Sequence, residues 1–388
     1  MVSVAIVVAF GVYVIATQEI TLEVKMQGCE SEGARTQQCL AELVVTEARE
    51  KGLVAGFDAL GAIYETDSEF ARYCHGNTHQ LGEIAYEKFS HSKEFELSSK
   101  TSYCGFGFYH GFLEALMFDT GDLSQARAFC EYINAQLKET IAGISFACYH
   151  GIGHGVVDGS DPSRWGDVDA YIEPGLELCA VLSPVEEQKT RCASGVFNAL
   201  AIAYSDPKYR LESDPKDPYA VCRRMEEQHV KRACYDQMNS FVVKSADSFS
   251  DALVTARDKT ESAFTEEALG SVAAFEVLTA LSHVGGPEQA LQQCTTLDEY
   301  LAKSCIRGLA VGFIEAGKPG EESERALRAC SSLTAYKVDC YLSVAQAVRY
   351  RLPPEEHTAL CIAIEADMGV ETGNMCREIM NTVPWTGE

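Results

Sequence analysis

The sixteen cysteines of this chain constrain its fold more than any other feature. They fall into consecutive couples, 29/39, 74/104, 130/148, 179/192, 222/234, 294/305, 330/340 and 361/376, with 10 to 30 residues between partners. No CxxC occurs, which disfavours zinc ribbons, thioredoxin-like redox sites and c-type haem attachment. An even count in an exported context reads as a disulfide framework. Spacing alone does not fix connectivity, and pairing within each couple is the economical expectation. The rival is a cytosolic chain whose free thiols hold a metal.

The couples also set a period. The second cysteines at 39, 74 or 104, 148, 192, 234, 305, 340 and 376 mostly step by 35 to 44 residues. That is the period of helical hairpins. Around each couple a helical pattern ends near the first Cys, a polar turn follows, and a second helix opens with the second Cys. Apolar residues such as Val196, Leu200 and Ala203 recur at helical spacing. The 71-residue step from Cys234 to Cys305 equals two units and implies one cysteine-free hairpin, roughly Ser248 to Val284. The expected fold is therefore all-α: tandem helical-hairpin repeats of about 35–44 residues, an α-solenoid or closed α-array, each stapled by a disulfide. Pro174-Gly175, Pro207, Pro215, Gly285-Gly286-Pro287 and Pro353-Pro354 read as helix boundaries.

Residues 2–16 are uncharged, the length of a signal-peptide core and shorter than a typical membrane span. Residues 1–18 are thus expected to be a signal peptide or membrane anchor, with residues 2–16 as the tether if it is kept. Either outcome exports the rest, to a secreted, periplasmic or cell-surface location. Residues 19–160 would form N-terminal repeats and 161–388 C-terminal repeats acting as scaffold. The formal net charge of −25 repels phosphate backbones, so nucleic acid is not an expected partner.

Six of nine histidines lie between residues 75 and 154, and all of these but His91 fall in CHGNTHQLGE, CGFGFYHGFLE and CYHGIGHGVVD. Each stretch places a carboxylate four residues after a histidine: His79–Glu83, His110–Glu114 and His154–Asp158. Two also carry a histidine four residues earlier, His75 and His150. Residues four apart share a helix face, so each helix would present a vertical strip of imidazole and carboxylate. The pattern is confined to these hairpins: Asn198, Ser240, Val311 and Gln346 occupy the equivalent position later in the chain. Glycines within the strips cost helix stability and must permit either close helix crossing or a ligand's approach.

Imidazole with carboxylate is a usual donor set for zinc, iron, copper or manganese. The first expectation is a divalent transition metal held by His79, His110 and His154. Glu83, Glu114 and Asp158 would be further ligands, orienting groups or a base, and His75 and His150 would complete the shell. If catalytic, such a site would activate water or oxygen. The alternative is a non-enzymatic, stapled scaffold that binds a protein or small-molecule ligand, with its histidines merely packed in the core. Haem held by His110 or His154, or calcium in DGSDPSRWGDVD, are weaker options. No P-loop, GxSxG or HExxH is present.

Overall fold

The computed structural model describes residues 21–30, 36–67, 70, 73–92, 97–141, 143–157, 162–278, 286–317, 322–352 and 354–382. The expected leader or anchor, residues 1–18, lies outside them. Every regular element among the described residues is helical. The helices are α1 (Leu22–Glu30), α2 (Thr36–Lys51), α3 (Leu53–Thr66), α4 (Cys74–Ser92), α5 (Tyr103–Thr120), α6 (Leu123–Leu137), α7 (Ile144–Val157), α8 (Val168–Leu182), α9 (Glu186–Ala203) and α10 (Ala220–Arg224). They continue as α11 (Gln228–Gln237), α12 (Asn239–Ser245), α13 (Phe249–Lys259), α14 (Thr265–Leu278), α15 (Pro287–Cys294), α16 (Glu299–Glu315), α17 (Glu322–Ser331), α18 (Lys337–Arg351), α19 (Pro354–Met368) and α20 (Val370–Asn381). No described helix is long and apolar enough to cross a membrane.

Local chemistry explains several boundaries. Asp122 begins α6 by accepting hydrogen bonds from the Ser124 and Gln125 amides, and Asp167 does the same for Asp169 and Ala170 at α8. Pro287 opens α15 at a position whose amide would have no helical partner. One boundary differs from expectation. Pro174 lies inside α8, where it removes a helical hydrogen bond. The next residue, Gly175, packs so closely that a Cβ there would meet Val157 and Val196 side chains within 2.9 Å. The helix thus continues through the proline within a tight packing contact.

All eight cysteine couples are bonded within the couple, and no described cysteine is free. The second cysteine does not always open its helix. Cys192, Cys234 and Cys305 stand two turns inside α9, α11 and α16. The preceding polar residues start those helices instead, as Glu186 and Glu187 do in the first turn of α9, where acidic groups suit the positive end of the helix dipole. Those three staples therefore reach into the body of the second helix, whereas Cys74 and Cys104 stand at the starts of α4 and α5.

The helices pack as a row in chain order. α4 lies against α5, α5 against α7, α7 against α9, α9 against α11, α14 against α16, α16 against α18 and α18 against α20. Their partners α6, α8, α13, α15, α17 and α19 line the row. The cysteine-free stretch expected from Ser248 begins as the α13–α14 pair, whose helices pack together. The row's neighbours approach backbone to backbone through glycine. A Cβ at Gly111 would lie 2.0 Å from the His79 carbonyl oxygen, and one at Gly195 would lie 1.9 Å from that of His150. Gly308 stands in the same relation to the Gly270 carbonyl, at 1.9 Å, although neither α14 nor α16 carries a histidine. Gly82, Gly107, Gly111, Gly151, Gly153 and Gly155 of the strips therefore serve helix crossing, whereas Gly76 has open space beside it, and crossing is shared by pairs with and without imidazoles.

Late helices also return to early ones. The Tyr64 hydroxyl at the end of α3 donates to the Ala316 carbonyl after α16 at 2.5 Å. The Gly143 amide donates to the Tyr350 carbonyl of α18 at 2.8 Å.

Candidate metal centre

Three consecutive helices of the row, α4, α5 and α7, carry the imidazoles to one place. His110 of α5 is central and only 7% exposed. Its ring is edge-on to His75 and His79 of α4, with centroids 5.0 and 5.2 Å away. On the other side it stacks on His150 and His154 of α7, at 4.8 and 5.5 Å. The close glycine crossings allow this, because bulkier residues at Gly111, Gly151 or Gly155 would drive α4, α5 and α7 apart.

Each flanking ring has an oxygen on its Nδ1 side. His75 Nδ1 lies 2.8 Å from the Cys104 carbonyl, which can only accept, so Nδ1 carries the proton and Nε2 keeps its lone pair. The Ser194 hydroxyl donates to the Arg191 carbonyl and therefore accepts from His150 Nδ1 at 2.7 Å, with the same consequence. His79 Nδ1 meets Glu114 Oε2 at 3.3 Å. His154 Nδ1 approaches Glu114 Oε1 to 2.5 Å, close but misaligned, so that neither atom completes a hydrogen bond. An oxygen on one ring nitrogen, leaving the other free, is the usual outer support of a metal-bound histidine.

The His75 acceptor depends on an unusual backbone. Cys104, Gly105 and Phe106 are all left-handed, with φ of 55°, 69° and 64°. For the two non-glycine residues this costs about 1–2 kcal/mol each. The turn places the Cys104 carbonyl on His75, and a Cβ at Gly105 would stand 3.5 Å from His75 Nδ1.

Electrostatics favours neutral imidazoles beside an ionised carboxylate. Burial, then the neighbouring His79, lowers His75 to about 4. Burial, then His154, lowers His150 to about 3. Burial, then His150, holds His110 well below the usual histidine range. Burial pushes Glu114 up, but contact with His154 and His79 outweighs it and holds the carboxyl well below its ordinary value. At neutral pH the lone pairs of the three lowered histidines are therefore not contested by protons.

His75, His79 and His110 each offer a nitrogen within 4.8 Å of the others, a group that could hold a metal ion. Three nitrogens on one zinc, at about 2.0–2.1 Å each, stand roughly 3.4 Å apart, so the rings need close by no more than about 1.4 Å. Two buried atoms of this group, His79 Nε2 and His110 Nδ1, have no hydrogen-bond partner. An unsatisfied buried polar atom is costly, and a cation would satisfy both.

Of the residues singled out from sequence, His75, His79, His110, His150, His154 and Glu114 are brought together. Glu83 stands on the exposed rim, where partial burial and, next, the Glu114 charge raise its pKa. Asp158 lies outside the described residues. His79 and His154 both contact Glu114 of the middle helix. Helix rotation in the row turns the α4 and α7 strips inward toward it. Ser194 and the Cys104 carbonyl are further contributors. A serine two residues after a cysteine carries no signal of its own, whereas glycine-rich CGFG was the only hint of the left-handed turn.

Compared with known proteins, the chain matches no family model, no curated protein and no solved structure.

Proposed function

We propose that this chain is an exported protein of tandem, disulfide-stapled helical hairpins that binds a divalent transition metal through His75, His79 and His110. The observation that carries the reading is the convergence of these imidazoles, with two buried nitrogens unpartnered and the Nδ1 atoms of His75 and His79 turned to oxygen acceptors. Neutral imidazoles suit zinc, copper or iron, and the bonded cysteines leave thiolate ligation out. Three protein donors leave a fourth position for water, which is where a catalytic zinc carries its reactive oxygen. Eight disulfides are consistent with an oxidising compartment and support export. The returns of α16 and α18 to the early helices support a closed array, in which the C-terminal hairpins brace the centre.

The test is elemental analysis of the full chain, produced in an oxidising compartment without chelator or affinity histidines. It is compared with His110→Val, which copies the residue at the equivalent position of α16. Bound metal in the first and its loss in a folded His110→Val chain are expected. Equal metal content in both, or none in either, would remove the reading.

A further inference from the structure

The cluster holds unsatisfied ligand atoms beyond those of the triad. Four buried atoms in it lack hydrogen bonds: His79 Nε2, His110 Nδ1, His154 Nδ1 and Glu114 Oε1. The first two belong to the triad with His75. The last two face each other at 2.5 Å on the α7 side, out of line for a hydrogen bond. A cation at the triad leaves this second pair as it is. From the close, misaligned His154 Nδ1–Glu114 Oε1 contact beside His150, we propose that the centre is dinuclear, with a second divalent cation on His154, Glu114 and His150. This rests on the triad reading above.

Among the described residues only the triad's ligand atoms already stand within 4.8 Å of one another, so His150 has to swing toward His154 and Glu114 to complete the second position. Ser194 fixes the His150 tautomer so that Nε2 is unprotonated, a support that the triad does not require. Two imidazoles and one carboxylate form a donor set known for first-row metals. A nitrogen and an oxygen bound at about 2.0–2.2 Å to one ion stand roughly 3 Å apart, so opening the contact by about half an ångström admits the ion. Glu114 links the two positions: its Oε2 meets His79 and its Oε1 meets His154. The middle helix thus presents one imidazole and one carboxylate between two histidine pairs, His75/His79 and His150/His154, each with one-turn spacing. Two-metal centres of this kind clamp an oxygen of a phosphate ester, peptide or other hydrolysable group between the ions, and that is the substrate class the site would take.

The experiment loads the full chain with Zn²⁺ alone, removes the excess by gel filtration and measures zinc per chain for the unmodified protein and for His154→Ala. Two zinc ions falling to one are expected. One zinc in the unmodified chain overturns the second position and leaves the triad standing; none overturns both. Two ions retained in His154→Ala overturn the assignment to α7. If far-UV circular dichroism finds that variant unfolded, Glu114→Gln replaces it. A Co²⁺ absorption titration of the unmodified chain decides the stoichiometry without any variant: a break at two equivalents supports the proposal and a break at one overturns it.

Discussion

His110 is where the residue-scale logic of this protein concentrates, because its burial forces a neutral imidazole into contact with four others. The burial has a consequence for stability. His75, His110 and His150 are lowered in the folded chain, so below the ordinary histidine value of 6.5 the unfolded chain binds protons that the folded chain refuses. Stability of the metal-free protein should therefore be level with respect to these groups above pH 6.5. It should fall as the pH drops from there toward about 4 for His75 and about 3 for His150. Urea unfolding midpoints across that range check this, and a midpoint rising with acid would contradict it. Ser194→Ala removes the acceptor that orients His150. On the dinuclear reading it lowers zinc affinity at the second position by about 10-fold or more, and it costs about 1–3 kcal/mol of stability by leaving the part-buried His150 Nδ1 unpaired. Competition against a chromophoric chelator measures it, and an unchanged second constant would show that Ser194 does not position a ligand.

Individual helices were legible as elements, whereas their rotations were not. The four-residue spacing of His75, His79, His150 and His154 fixes a shared face on α4 and on α7. Whether those faces meet depends on how α4, α5 and α7 pack, and that is set by glycines whose role is ambiguous in sequence. Hence Glu114 was recognisable as a carboxylate on the His110 face, but its contacts with His79 and His154 were not. The same packing separates two kinds of glycine. Gly111→Ala pushes a Cβ against the His79 backbone and should cost about 1–3 kcal/mol of unfolding free energy. Gly61→Ala, inside α3 with open space around it, should instead stabilise by about 0.5–1 kcal/mol. Denaturant unfolding of both variants tests the contrast; two effects of the same sign would mean that α4 and α5 do not cross through Gly111.

On the scale of the whole molecule, the cysteine couples announced an all-helical, stapled chain, and each couple closes on itself. The long-range returns, Tyr64 to Ala316 and Gly143 to Tyr350, had no sequence signal, because backbone carbonyls accept from any residue type. Staples near and far from the centre should differ in effect. Replacing Cys130 and Cys148 by alanine costs about 2–4 kcal/mol and also weakens zinc binding, since Cys148 anchors α7 two residues before His150. Replacing Cys361 and Cys376 carries a similar stability cost while zinc affinity stays unchanged. Affinities lowered equally in both would mean that the row acts as one cooperative body. The central claim, a metal held by imidazoles in a chain whose cysteines are spent on disulfides, is tested most directly by zinc-edge X-ray absorption of the zinc-loaded protein. The expected result is a nitrogen and oxygen shell at about 2.0–2.1 Å with imidazole outer-shell scattering. A sulfur shell near about 2.3 Å, or an oxygen-only shell without imidazole, would contradict it.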